Sequence, residues 1–261
     1  MSEDKIPANC YKLKVLEVEH YTDRLFRFVT ERPADFRFRS GEFVMISLPK
    51  LEKLIFRAYS IASSAWDETL EFFSIKVPDG PLTEQLQKIT IDDEIIMRKK
   101  STGTLVVDAL LPGKRLYLLS TGTGFAPFAS LLRDVEIYEK FEQIVVIQTT
   151  REVNELNYAK QVVEALNQHP IIAEWVDKIK FYPMTTRQQS EYMGRITSHI
   201  KAGTLCSWTG LPPLNPEEDR IMICGSVNML KELKEIVTEL GFKEGANNSP
   251  ASFVVEKAFV E

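Results

Sequence analysis

Over its first hundred or so positions the chain alternates apolar and polar residues in short runs, at 11–18, 24–29, 43–48, 58–61, 70–77 and 94–97, each bounded by turn residues. A two-residue period puts successive side chains on opposite faces of a strand, so this spacing predicts an antiparallel β-barrel or sandwich. One stretch breaks the period. Leu82, Leu86 and Ile89 recur at helical spacing, and Pro81 suits a first helical position, which predicts a helix opening directly after a strand.

From Pro112-Gly113-Lys114 onward the period changes. Buried-strand runs at 115–120, 144–150, 179–185, 220–224 and 252–257 alternate with helical patterns at 127–139, 155–168, 194–201 and 227–240. Alternation of this kind predicts a parallel sheet covered by helices on both faces. The expected organisation is therefore two domains, an antiparallel barrel over 1–111 and an α/β parallel-sheet domain over 112–261. The proline-containing segment 203–219 has no clear period, and no internal repeat is present.

Composition narrows the class. With 261 residues and 44% hydrophobic content the chain can fill two ordinary cores. No apolar run reaches the roughly 18 residues of a membrane span, and the start Met1-Ser2-Glu3-Asp4-Lys5 lacks the layout of a signal peptide, so a cytoplasmic protein is expected. The three cysteines, Cys10, Cys206 and Cys224, are too few and too scattered for a disulfide framework or an iron–sulfur cluster. No metal site is expected, and any redox chemistry needs an organic cofactor. A net charge of −5 argues mildly against a nucleic-acid partner.

Two segments carry candidate chemistry. Arg57-Ala58-Tyr59-Ser60 offers a cation, an aromatic plate and a hydroxyl at a spacing suited to a flavin, although a strand with a surface arginine gives the same pattern. Thr121-Gly122-Thr123-Gly124-Phe125-Ala126-Pro127 follows an apolar strand and leads into a helix, the arrangement that cradles a dinucleotide pyrophosphate. Its proline replaces the third glycine of the usual fingerprint, and such turns often serve only tight packing. The helix opening at Gly80-Pro81-Leu82-Thr83 offers free backbone N–H groups to phosphate, or is a plain helix start. At the end of the second parallel strand, where NAD-preferring folds place an acid for the ribose, stand Thr149-Thr150-Arg151.

These segments, together with Met222-Ile223-Cys224-Gly225-Ser226 and the tail 253–260, occur in an order that resembles the ferredoxin/flavodoxin–NADP reductases, in particular the bacterial type with an extended C-terminal tail. The resemblance spans the chain from about residue 10 to its end. It implies an FAD enzyme exchanging electrons between NADP(H) and a ferredoxin or flavodoxin, with flavin turning a two-electron hydride into single-electron steps. By that resemblance Tyr59 stacks on the isoalloxazine, Ala58 and Ser60 lie beside it, and Arg57 and Gly80 to Thr83 hold the FAD pyrophosphate. Ile75, Lys76, Val77 and Thr123 lie along the FAD. Thr121, Gly122, Thr123, Gly124 and Gly225 receive the nicotinamide nucleotide; Thr186, Arg187 and Arg195 hold its 2′-phosphate, with Arg151 near. Cys224 sits by the nicotinamide, and Glu256 joins Ser60 and Cys224 as a polar or proton-relaying group.

One departure limits the carry-over. Plastid-type relatives end near a tyrosine two residues after this glutamate; here Ala258 stands there, followed by Phe259, which becomes the candidate for FAD contact. For the electron partner, 24–39 carries Arg24, Arg27, Arg32, Arg37 and Arg39, a face that an acidic carrier would find or that is simply solvated. A monomer is expected. The alternatives are an NADPH-dependent free flavin or quinone reductase and a non-catalytic electron-transfer subunit, though fused oxygenase reductases and such subunits normally add the cysteine cluster that is missing.

Overall fold

The structure is a computed structural model that describes residues 6–49, 51, 53–77 and 80–257. The first half forms six strands, β1 (Cys10–His20), β2 (Leu25–Glu31), β3 (Phe43–Ser47), β4 (Arg57–Ser60), β5 (Thr69–Ile75) and β6 (Glu94–Arg98). They pair in the order β4-β3-β6-β1-β2-β5, antiparallel throughout. The two edges meet where Ile61 bridges Phe72, so the sheet closes into the expected barrel. Its interior is aromatic: Phe28 stacks between Phe26 and Phe72, with ring centroids 6.1 and 5.1 Å away.

The helix expected after β5 is a single turn, α1 (Thr83–Leu86), preceded by a tightening in which Gly80 donates to the Val77 carbonyl and then accepts the Glu84 N–H. Pro81 therefore stands before the helix, not at its first position. Leu82, Leu86 and Ile89, the apolar positions of that pattern, are buried in the barrel core.

The second half builds β7 (Arg115–Thr121), β8 (Gln143–Thr150), β9 (Ile179–Thr185), β10 (Tyr192–Met193), β11 (Asp219–Gly225) and β12 (Phe253–Lys257), all parallel in the order β10-β9-β8-β7-β11-β12. Strands β7 and β11 are buried on both faces along nearly their whole length, as their unbroken apolar runs require. The helix expected at 127–139 is two, α2 (Ala126–Leu132) and α3 (Glu136–Lys140). At the break Asp134 accepts the Glu136 N–H at 3.1 Å, a local side-chain bond that competes with a continuous helix. The remaining helices are α4 (Asn157–Ala165), α5 (Ile196–Lys201), α6 (Thr204–Thr209) and α7 (Val227–Glu239); α6 lies inside the segment whose sequence shows no period.

A shared interface fixes one half against the other. Phe73 of β5 stacks on Tyr158 of α4 with centroids 4.1 Å apart, and Leu25, Ala62 and Phe73 belong to the same apolar cluster as Phe125 and Leu131. Beside it Glu71 accepts the Tyr158 hydroxyl at 2.6 Å and Arg133 at 3.0 Å, and meets Arg27 at 3.3 Å. Burial alone would raise the Glu71 pKa, but the Arg133 charge, the Tyr158 hydroxyl and Arg27 together hold it below the usual carboxylate value. Apolar packing and a buried ion-pair network thus tie the two halves together.

Candidate functional site

Strand order reverses at β7, whose neighbours β8 and β11 lead to opposite sides of the sheet, and the crevice at such a switch point is where open parallel sheets bind ligands. Here that crevice opens toward the barrel and forms a cleft of ≈ 890 Å³.

The barrel wall consists of Arg57, Ala58, Tyr59 and Ser60 from β4, Ile75 at the end of β5, then Val77, Gly80, Pro81, Leu82 and Thr83. Tyr59 is only 8% exposed, and burial pushes its hydroxyl up to about 12 despite its bond to Ser74 and the nearby Arg57 charge. Arg57 is exposed, one guanidinium nitrogen donating to the Phe56 carbonyl at 3.0 Å.

The opposite wall is the end of the parallel sheet. Thr121, Gly122 and Thr123 leave β7; Arg151 follows β8; Thr186 and Arg187 follow β9; Gly194 and Arg195 follow β10. Gly122 has φ +54 and open space where a side chain would start, whereas a Cβ on Gly124 would lie 2.3 Å from the Cys224 carbonyl oxygen. The two glycines serve different ends: one supplies backbone conformation, the other lets two loops approach. Gln148, behind the turn, donates to the Gly122 carbonyl at 3.1 Å while its buried Oε1 has no partner. An open glycine face and free strand-end groups in a cleft of this volume fit a dinucleotide.

Residues given no role at this site by the sequence also line the cleft. Ser226 caps α7 and donates its N–H to Thr121 Oγ1 at 2.9 Å, tying the two switch-point loops together. Glu155 accepts the N–H groups of Arg151 and Glu152 at 2.8 and 3.2 Å, a capping box legible in the Glu152–Glu155 spacing. Arg24 lines the barrel side, and Glu232 of α7 lies 4.0 Å from Arg195.

Other expected positions fall elsewhere. Lys76, Gly124, Gly225 and Cys224 do not line the cleft. Cys224 is fully buried beneath the Gly124 turn, and burial, then the nearby Glu256 carboxylate, push its thiol well above the usual value, so it is a neutral group in this packing. Glu256 lines a second cavity of ≈ 380 Å³ together with Thr104 and Lys257. Ala58 and Ser60 border both cavities and so stand between Glu256 and the main cleft. Ala258 and Phe259 lie outside the described residues.

Of the arginines at 24–39, Arg24 lines the cleft and Arg37 donates to the carbonyls of Ala34 and Phe36. Arg27 meets Glu17, Glu19 and Glu71; Arg32 donates to the carbonyls of Ala65, Asp67 and Phe36; Arg39 pairs with Glu42 and Asp108. Their charge is committed to holding strands and turns. Among the described residues no cluster of metal-binding side chains occurs and no helix is long and apolar enough to cross a membrane.

Known proteins share this arrangement. Models of an oxidoreductase FAD-binding domain and an oxidoreductase NAD-binding domain match residues 12–105 and 118–235. The chain is 55% identical over 248 residues to a flavodoxin/ferredoxin–NADP reductase of Rhodobacter capsulatus, covering 94% of this chain and 92% of that one. With a ferredoxin–NADP reductase of Azotobacter vinelandii the identity is 48% over 250 residues, covering 95% and 97%. A crystal structure of a ferredoxin NADP+ reductase from Neisseria gonorrhoeae with bound FAD and NADP superposes with a TM-score of 0.87 at 30% identity, covering 97% of this chain and 100% of that one.

Proposed function

The chain belongs to the ferredoxin/flavodoxin–NADP reductase family, and from that membership and the shape of the cleft we propose how its own residues do the work. The protein is an FAD-dependent oxidoreductase that moves electrons between NADP(H) and ferredoxin. The observation that carries the assignment of parts is the single cleft joining Arg57–Ser60 and Gly80–Thr83 on one wall to Thr121–Thr123, Arg187 and Arg195 on the other.

When bound, FAD supplies both the hydride chemistry and the one-electron steps. The protein supplies position. Tyr59 and Ala58 present an apolar face to the ring, and Arg57 with the N–H groups after Gly80 meets the pyrophosphate. The loops after β7 and β11 seat the nicotinamide nucleotide, and the arginines after β8, β9 and β10 face its 2′-phosphate. Glu256, whose acid form persists to about pH 7, keeps or releases a proton near neutrality, and Ser60 is the hydroxyl placed between it and the cleft. Gly124, Cys224 and Gly225 shape this site from behind its wall, and Lys76, next to Ile75 and Val77 of the barrel wall, lies along the FAD.

The finer points belong to the same proposal: flavodoxin as a second carrier, a monomeric cytoplasmic enzyme, a domain division at 111/112, and a tail in which Phe259 contacts FAD beside Ala258. The released cofactor identifies the reading. Chromatography should give FAD, and a colourless protein that cannot be reconstituted with FAD overturns it. A chain ending at Lys257 should hold FAD less well than the full chain; equal retention removes the tail from the site.

A further inference from the structure

The turn that brings Arg195 to the cleft is held from behind by a side chain that does not line the cleft. Gly194 closes β10 by donating its N–H to the Thr185 carbonyl at 2.8 Å, then turns with φ +123, which side-chain-bearing residues rarely adopt. Arg195 follows and begins α5. His199, one helical turn on, grips both sides of this corner. Its backbone N–H donates to the Arg195 carbonyl at 3.2 Å, and its ring Nε2 lies 2.9 Å from the Met193 carbonyl oxygen. A carbonyl oxygen can only accept, so Nε2 carries a proton. The other ring nitrogen, Nδ1, lies 2.9 Å from Thr204 Oγ1.

The ring is also packed. It meets Trp208 edge-on, with centroids 4.7 Å apart at 90°, and Trp208 stacks on Tyr192, the neighbour of Met193 in β10, at 5.4 Å. A Cβ built on Gly194 would lie 2.6 Å from His199 Nε2, so the imidazole fills the space that a side chain there would need. Glycine and histidine are matched at this corner: one makes the turn, the other restrains it.

We infer that His199 is a positioning residue for nucleotide selectivity, fixing the Met193–Arg195 corner so that the Arg195 guanidinium is presented to the 2′-phosphate. This rests on the reading of Arg195 as a ligand of that phosphate. His199 acts through Arg195 and touches no nucleotide. Without the ring, the wide φ range of Gly194 lets the corner drift, and the arginine loses the fixed geometry that phosphate recognition rewards.

Steady-state kinetics with NADPH and NADH on His199→Ala, His199→Gln, Arg195→Ala and the double variant His199→Ala/Arg195→Ala test this. The expected result is that His199→Ala raises KM for NADPH about three- to tenfold, the worth of one neutral hydrogen bond, with kcat and the NADH parameters unchanged. His199→Gln, whose amide can donate to the same carbonyl, should recover most of the loss, and in the Arg195→Ala background His199→Ala should add nothing. If Arg195→Ala leaves NADPH preference intact, the reading of Arg195 fails and the inference falls with it. If Arg195→Ala removes the preference but His199→Ala affects both nucleotides alike, has no effect, or keeps its full effect in the double variant, the inference alone is overturned. Should His199→Ala not fold, Thr204→Val removes the hydroxyl at Nδ1; an NADPH-selective rise in KM supports the inference and an unchanged KM overturns it.

Discussion

Gly124 lies so close to Cys224 that a single added methyl would sit 2.3 Å from the Cys224 carbonyl oxygen and 2.6 Å from its carbonyl carbon. These are backbone atoms of β11, held on both sides by β7 and β12, so they cannot give way as a flexible side chain would. Gly124→Ala must therefore push the β7 and β11 loops apart. Gly122→Asn meets open space and keeps a residue that tolerates φ +54. Urea denaturation of the flavin-free protein should show Gly124→Ala destabilised by about 1 to 3 kcal/mol, the usual cost of overpacking, against roughly 0.5 kcal/mol or less for Gly122→Asn. Similar stabilities for the two variants would mean that the loops separate without cost.

That contrast shows what was legible in the sequence. Apart from the two-residue β10, the strands of both sheets were readable because each carries a period set by its own burial, alternating over Leu13–Leu16 in β1 and continuous in β7 and β11. The glycine turn was readable as a turn, but nothing local distinguishes a glycine that needs positive φ from one that needs close approach, since the second depends on Cys224 a hundred residues away. The same limit hid His199, whose partners are Met193, Thr204 and Trp208. It also made Arg27 and Arg32 look available when neighbouring strands and turns had claimed them. Cys224 was identified as part of the site, but its burial depends on the Gly124 turn packed over the end of β11, which no local signal shows.

Glu256 supplies a pH signature. Its carboxylate accepts the Thr104 N–H at 3.0 Å; burial raises its pKa from 4.5 to about 7, the Thr104 bond opposing and the Glu42 charge adding. A carboxylate raised on folding gives stability that is complete below the unfolded value and is lost as pH rises through the folded one, because in between the folded chain keeps a proton that the unfolded chain has released. For the flavin-free protein the loss should therefore run from about pH 4.5 to somewhat above 7 and amount to on the order of 3 kcal/mol. Urea denaturation of wild type and Glu256→Gln across this range checks it: the variant should gain relative stability as pH rises. Parallel curves would show that this carboxylate ionises as freely in the fold as out of it.

Nucleotide preference is the sharpest consequence of the site. Arg187 and Arg195 line the cleft at the ends of β9 and β10, with Arg151 after β8, and all three are exposed to an incoming ligand. The strand end that would carry an acid for a ribose hydroxyl carries Thr149 and Thr150 instead. Arg195 has Glu232 at 4.0 Å, a loose pairing between exposed groups that a phosphate readily displaces. Hydrogen bonds to a charged group contribute about 1.5 to 3 kcal/mol each, and about 1.4 kcal/mol is tenfold, so Arg187→Ala or Arg195→Ala should weaken NADPH binding by roughly ten- to a hundredfold. NADH has no 2′-phosphate and should scarcely respond. Arg151→Ala should show a smaller loss of the same kind, because the Glu155 carboxylate, bonded to its backbone N–H and lining the same cleft, offsets part of its charge toward an anion. Equal losses for both nucleotides in steady-state kinetics would mean that these side chains support the loops or the part of the cofactor common to both, and that the selectivity lies elsewhere.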